Sequence, residues 1–141
     1  MEIKTEMKEM VYGRDDGCLY MEIDLDGYGI MVVNIRGDHP CAYVTFPGID
    51  KIKNYETIEL EQEEDGDYLP HGGFTFLGER NRYCGVYGIL WLGWDYGHFD
   101  DYIYGWYDEP QFPKNKKWTT SEIVDEARKV LELIKNGKFT Y

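Results

Sequence analysis

At 141 residues the chain has the length of one domain, able to bury roughly two-thirds of the surface its unfolded form exposes. Its 43% hydrophobic and 16% aromatic content excludes an intrinsically disordered chain. With 15 basic against 27 acidic residues and a net charge of −12, it lacks the clustered Lys and Arg that grip a nucleic-acid backbone; the excess fits solubility or a basic protein partner.

Cys18, Cys41 and Cys84 contain no C-x-x-C pair, which argues against a thiolate zinc site. Three unpaired thiols are the expectation for a reducing cytosol. The first residues, Met1 to Glu6, are charged and carry no apolar h-region, so no secretory signal is expected. The longest uncharged run, Tyr83 to Trp94, falls short of the about 20 residues that span a bilayer. A soluble cytoplasmic protein without membrane contact is expected.

Taken in order, Ile3, Met7, Met10 and Val11 fall at i, i+4, i+7 and i+8 and predict a short N-terminal helix stopped at Gly13. Ile3, Thr5 and Met7 also alternate, as a strand would. Asp16-Gly17 turns the chain, residues 18–25 alternate, Asp26-Gly27 turns it again, and residues 30–36 are β-branched and apolar. That pattern predicts an antiparallel hairpin. Residues 37–40 break the pattern, 42–46 restore a strand, and Pro47-Gly48 ends it.

From Ile49 to Pro70 the chain is polar, with Glu59, Glu61, Glu63, Glu64, Asp65 and Asp67 crowded together. Their spacing does not fit a calcium-binding EF-hand loop, so a solvated connection is predicted. Gly72-Gly73 opens a short strand through Phe76, and residues 78–82 turn it. From Tyr83, the residues Val86, Leu90, Leu92 and Trp94 share one face, with Tyr87, Ile89, Trp91 and Asp95 on the other. Apolar residues on both faces predict a central strand covered on each side. Gly85, Gly88 and Gly93 within it suggest a bend or a close approach. Ile103, Trp106 and Tyr107 suggest an edge strand.

The C-terminal helix has the clearest signals. Thr119 with Glu122 is a capping-box pair, and Ile123, Val124, Ala127, Val130, Leu131 and Ile134 form one apolar face. Acidic residues sit at its start and lysines at its end, and Gly137 suits a left-handed cap. The predicted class is α+β: a single domain over 1–141, with one mainly antiparallel sheet packed by one long C-terminal helix and a short N-terminal helix.

Candidate chemistry lies in two stretches, His71-Gly72-Gly73-Phe74-Thr75-Phe76 and residues 91–102. His71, Gly72, Gly73, Trp91, Trp94, Asp95, His98 and Asp100 are the predicted ligand-binding set, with Asp101 beside them. Three chemistries suit such residues. Both histidines and one aspartate could hold a divalent metal. A histidine oriented by a carboxylate could act as general acid or base on a phosphoester or glycosidic bond. Or the group could anchor a planar ligand against tryptophan and tyrosine faces without catalysis. The plainer structural role is that His71 and His98 satisfy buried hydrogen bonds at a strand end, with Asp95 as partner. No H-E-x-x-H spacing occurs, so no metal is assigned. No G-x-G-x-x-G or Walker pattern occurs, so no cofactor is assigned. Ser121 is the only serine and lies at the helix start, so no catalytic residue is assigned.

These two stretches resemble a family of small proteins encoded by bacteriophages and by phage-derived regions of bacterial genomes. Its members carry His-Gly-Gly-x-Thr-aromatic, here His71 to Phe76, and Gly-aromatic-Asp-x-x-His-x-x-Asp, here Gly93-Trp94-Asp95-Tyr96-Gly97-His98-Phe99-Asp100-Asp101, before a C-terminal helix. Asp38 to Val44 and Pro47-Gly48 match an upstream segment, so the resemblance spans about residues 37–135. Many members have cysteine and alanine where this chain has Tyr96-Gly97, so no thiol role carries over. The resemblance implies an accessory protein of the bacterial host cytoplasm that counters host defence. The expected activity is capture of a nucleotide-like small molecule near His71, Trp94, Asp95 and His98. The alternatives are an acidic decoy for a basic host effector, using residues 59–67, and a small hydrolase of a phosphorylated nucleotide signal. A homo-oligomer sharing its site between subunits is compatible with so small a sheet.

Overall fold

The computed structural model describes residues 2–66, 68–106 and 115–141. Among these residues, eight strands and one α-helix follow in chain order: β1 (Ile3–Lys4), β2 (Cys18–Ile23), β3 (Gly29–Ile35), β4 (His39–Thr45), β5 (Glu59–Leu60), β6 (Phe76–Glu79), β7 (Leu90–Asp95), α1 (Thr120–Lys135) and β8 (Phe139–Thr140). Two 3-10 turns, Ile49–Lys51 and Tyr55–Thr57, precede β5. Six strands form one antiparallel sheet in the order β1-β2-β3-β4-β7-β6, and β5 pairs with β8 in a separate ribbon. The class is α+β, with α1 packed across the sheet.

The β2–β3 hairpin is closed by an Asx turn: Asp24 Oδ1 accepts from the N–H groups of Asp26 and Tyr28 at 2.9 and 3.0 Å. Every residue of β3 is buried, as befits an inner strand that is apolar on both faces. One face of the sheet, with Ile30, Val32, Ala42, Val44, Leu92 and Trp94, packs on the apolar stripe of α1. The helix opens with the predicted reciprocal capping box between Thr119 and Glu122. Behind it, Gly137 takes φ +70°. The other face, with Met21, Met31, Val33, Tyr43 and Trp91, is roofed by Tyr83, Cys84, Val86 and Ile89.

Four expectations are corrected. The N-terminal helix does not form: beyond β1 the chain runs extended along β2, with Thr5 N–H and Lys8 N–H donating to the carbonyls of Met21 and Leu19 at 2.9 and 2.8 Å. The open backbone edge of β2 offers those residues hydrogen bonds that an isolated short helix could not match. The central strand starts at Leu90 rather than Tyr83, because Gly85 and Gly88 adopt φ +70° and +76° and turn the segment over the sheet. That fold-over brings Cys84 onto the start of β2, where it forms a disulfide with Cys18 and leaves Cys41 as the free thiol. Free thiols therefore no longer support a cytosolic setting. Finally, Tyr104 to Trp106 form a turn in place of an edge strand; Tyr107 and Asp67 lie outside the described residues. Among the described residues no helix is long and apolar enough to cross a membrane.

Candidate functional site

The site lies where β7 ends. Asp95 closes the strand, its Oδ1 accepting from Gly97 N–H at 3.0 Å, and a tight turn follows. In it Asp101 N–H donates to His98 O at 2.9 Å, and His98 N–H returns a bond to Asp101 Oδ2 at 3.0 Å. His71 arrives from a second turn, closed by Gly73 N–H donating to Pro70 O at 2.8 Å. Helix α1 fixes that turn, because Glu126 Oε1 accepts from His71 N–H at 2.8 Å. The same oxygen accepts from the Tyr96 hydroxyl at 2.8 Å, and Tyr96 Oη in turn accepts from Trp94 Nε1–H at 2.9 Å.

At the centre His71 Nε2 lies 2.8 Å from Asp101 Oδ2 and 3.0 Å from Oδ1. Trp118 Nε1–H donates to Asp101 Oδ1 at 2.8 Å. The His71 ring stacks on Tyr96, with centroids 5.0 Å apart and planes 2° apart, and Trp118 leans against both. His98 Nδ1 is 3.1 Å from Asp95 Oδ1 and 3.7 Å from Asp101 Oδ2. One donor atom from each of His71, His98 and Asp101 lies within 4.8 Å of the others.

The electrostatics follow from this geometry. The bond to Asp101 raises the His71 pKa, against the opposing effect of burial. Burial works to raise the Asp101 pKa, but hydrogen bonds from His71, the His98 amide and Trp118 outweigh it and hold the carboxyl below its ordinary range. Tyr96 is pushed up by burial and by Glu126, so its hydroxyl stays a donor. Burial lowers the pKa of His39, whose ring packs against Gly97.

The turn brings together four of the predicted residues, His71, Gly72, Asp95 and His98. The close approach expected of the glycines falls at Gly72, where an added Cβ would lie 2.2 Å from His98 Nε2, and where φ is +70°. Gly72→Ala is therefore expected to displace the His98 ring and destabilise the fold by about 1–2 kcal/mol from backbone strain alone. A chemical-denaturation curve checks the stability, and the His98 imidazole NMR signals check the ring.

The other predicted residues fall elsewhere. Asp100 is exposed, and the carboxylate in the cluster is its neighbour Asp101. Gly73 borders a separate cavity of about 410 Å³ lined by Tyr55, Leu60, Tyr68 and Phe74. Trp91 and Trp94 are 0% and 1% exposed and face opposite cores, so neither ring offers a stacking surface to a ligand. Asp101 lies i+3 from His98, a spacing one turn can gather, but Asp100 at i+2 competes with it in the sequence. Glu126 and Trp118 carried no such signal, since each meets the site across the fold.

On the far side of Asp95 a groove of about 310 Å³ runs over the sheet between His39, Tyr43, Thr75, Phe76 and Arg80. The Arg80 guanidinium lies 5.2 Å from the Phe76 ring centre and 5.6 Å from that of Tyr83, and its Nε–H donates to Tyr43 Oη at 3.1 Å. Among the described residues no carboxylate pairs with it.

Comparison of the chain with family models, with curated proteins and with solved structures finds no match.

Proposed function

We propose that the chain captures a small phosphorylated, nucleotide-like molecule in the groove between Arg80 and Asp95. The observation that carries this reading is Arg80 itself. In a chain of net charge −12, an arginine oriented by aromatic rings and a tyrosine hydroxyl, with no carboxylate partner among the described residues, borders a groove. A guanidinium so held presents its remaining N–H groups as a planar fork suited to phosphate. The volume of about 310 Å³ is at the small end for ligand sites, which favours one nucleotide over a larger molecule. His39 and Thr75 add polar contacts at the rim, and Phe76 an aromatic wall. The resemblance of residues 71–76 and 93–101 to phage-encoded proteins supports counter-defence as the purpose of this capture, the withdrawal of a host signal.

Turnover is a second reading, favoured by one observation. Asp95, which lines the groove, meets His98 Nδ1 at 3.1 Å, and His98 in turn lies beside the His71–Asp101 pair. A histidine with an orienting carboxylate suits acid–base work on a phosphoester.

Calorimetric titration of the metal-free protein with 5′-mononucleotides and with inorganic phosphate tests the assignment. Arg80→Gln should weaken nucleotide binding about 10- to 150-fold, the worth of 1.5–3 kcal/mol for a hydrogen bond to a charged group. No binding at millimolar nucleotide, or equal binding by the variant, would sink it. A product mass after incubation would move the reading from capture to hydrolysis.

A further inference from the structure

His98 Nδ1 is shielded from water and, among the described residues, makes no hydrogen bond. Asp95 Oδ1 at 3.1 Å and Asp101 Oδ2 at 3.7 Å are both near, but neither is aligned to accept a proton from the ring. A buried ring nitrogen between two carboxylates without a hydrogen bond is costly unless a cation joins them. The third donor is already there, since His71 Nε2 sits 2.8 Å from the same Asp101 oxygen.

We infer that His71, His98 and Asp101 form a binding site for one divalent first-row transition-metal ion, with Zn²⁺ as the reference ion. Donors held about 2.0–2.2 Å from zinc lie about 3.4 Å apart around a tetrahedron. The separations of 2.8 and 3.7 Å from Asp101 Oδ2 bracket that spacing, and all three donors fall within 4.8 Å. Two imidazoles and a carboxylate suit Zn²⁺, Fe²⁺ or Mn²⁺, whereas Ca²⁺ and Mg²⁺ prefer oxygen donors throughout.

The surroundings fix the ligands as an outer shell does in metal sites. Trp118 Nε1–H holds Asp101 Oδ1 and leaves Oδ2 turned toward the histidines. Tyr96 stacks under His71, and Glu126 anchors its backbone. Gly72 clears the space that the His98 ring occupies. Three protein donors leave one of the four tetrahedral positions unfilled by these residues. Three protein ligands with one open position is the pattern of zinc sites that act on a bound molecule.

The test is calorimetric titration of EDTA-stripped, dialysed protein with Zn²⁺ alone, with Co²⁺ absorption as a second readout. One equivalent should bind. His71→Gln and His98→Gln should each weaken binding by more than about 100-fold, and Trp118→Phe by about 10- to 100-fold, the usual range for an outer-shell partner. Asp100→Asn, one residue from the cluster, should bind as the wild type does. Circular dichroism establishes that each variant is folded. Absence of Zn²⁺ uptake by the wild type overturns the inference, as does one-equivalent binding that survives both histidine changes. Arg80→Gln should keep Zn²⁺ while losing nucleotide, so failure of the groove and failure of the metal site are read separately.

Discussion

Asp101→Ala is expected to destabilise the fold by about 3–5 kcal/mol, a large part of the about 5–15 kcal/mol that holds a domain together. The residue is 1% exposed and its carboxylate receives His71 Nε2, the His98 amide and the Trp118 indole N–H. Truncation leaves those donors facing a void, and one belongs to an imidazole favoured in its charged form. Urea denaturation of variant and wild type measures the difference. A loss below about 1 kcal/mol would mean that water replaces the carboxylate freely, which its burial argues against.

The same pair sets a pH window. The Asp101 pKa is lowered, so its contribution is present above the ordinary carboxylate value of about 3.9 and is lost as pH falls through the folded value. The His71 pKa is raised, so its contribution is complete below about 6.5 and is lost as pH rises through the folded value. The gap in Tm between wild type and Asp101→Asn, measured in EDTA, should be widest from about pH 4 to about pH 6.5 and narrow on both sides. Asp95 and Glu126 also face His71, and both remain in each protein. The Asp101 charge also raises His39, against the larger lowering by burial, so the same comparison in a His39→Gln background isolates the His71 pair. A gap that is flat across this range would show that the pair is not ionised in the fold.

Trp94→Ala should cost about 3–5 kcal/mol, the range for emptying an aromatic site in a core. Its ring is 1% exposed, meets Phe74 edge-on with centroids 5.9 Å apart, and donates to Tyr96 Oη. Trp94→Phe keeps most of the volume and removes only the donor, so about 1–3 kcal/mol is expected there. Tyr96 still reaches Glu126 in that variant and should keep the His71 turn in place. Denaturation midpoints of the two variants separate packing from hydrogen bonding. Near-equal losses would assign the whole effect to the Trp94–Tyr96–Glu126 chain.

What could be read from the residues alone was what is decided within a turn or two of chain. The α1 start is set by Thr119 and Glu122 three residues apart, and its buried face by a regular apolar stripe, so both were legible. The β2–β3 hairpin follows from Asp and Gly in its turn, and the opposite faces of Trp91 and Trp94 from strand alternation. Half of the site is local in the same sense, because Asp95, His98 and Asp101 lie three residues apart and one turn gathers them. The choice of Asp101 over Asp100 was not legible, since it depends on which carboxylate the turn points inward.

The rest needed partners that sequence distance hides. His71 finds Asp101 thirty residues on and Glu126 fifty-five residues on, and only the packing of α1 over β3 and β4, with β7 beside them, puts them in reach. Cys84 meets Cys18 because two glycines fold residues 83–89 over the sheet, and Arg80, just after β6, faces a groove where it meets Tyr43 thirty-seven residues back. The N-terminal stretch had two compatible periods, and the open edge of β2 chose between them. Capping, turn chemistry and periodicity act over a few residues and are written in them. Register, fold-over and which buried polar groups meet are settled by packing of the whole chain, because each has several local solutions and few of them fill the core while pairing most of its polar groups.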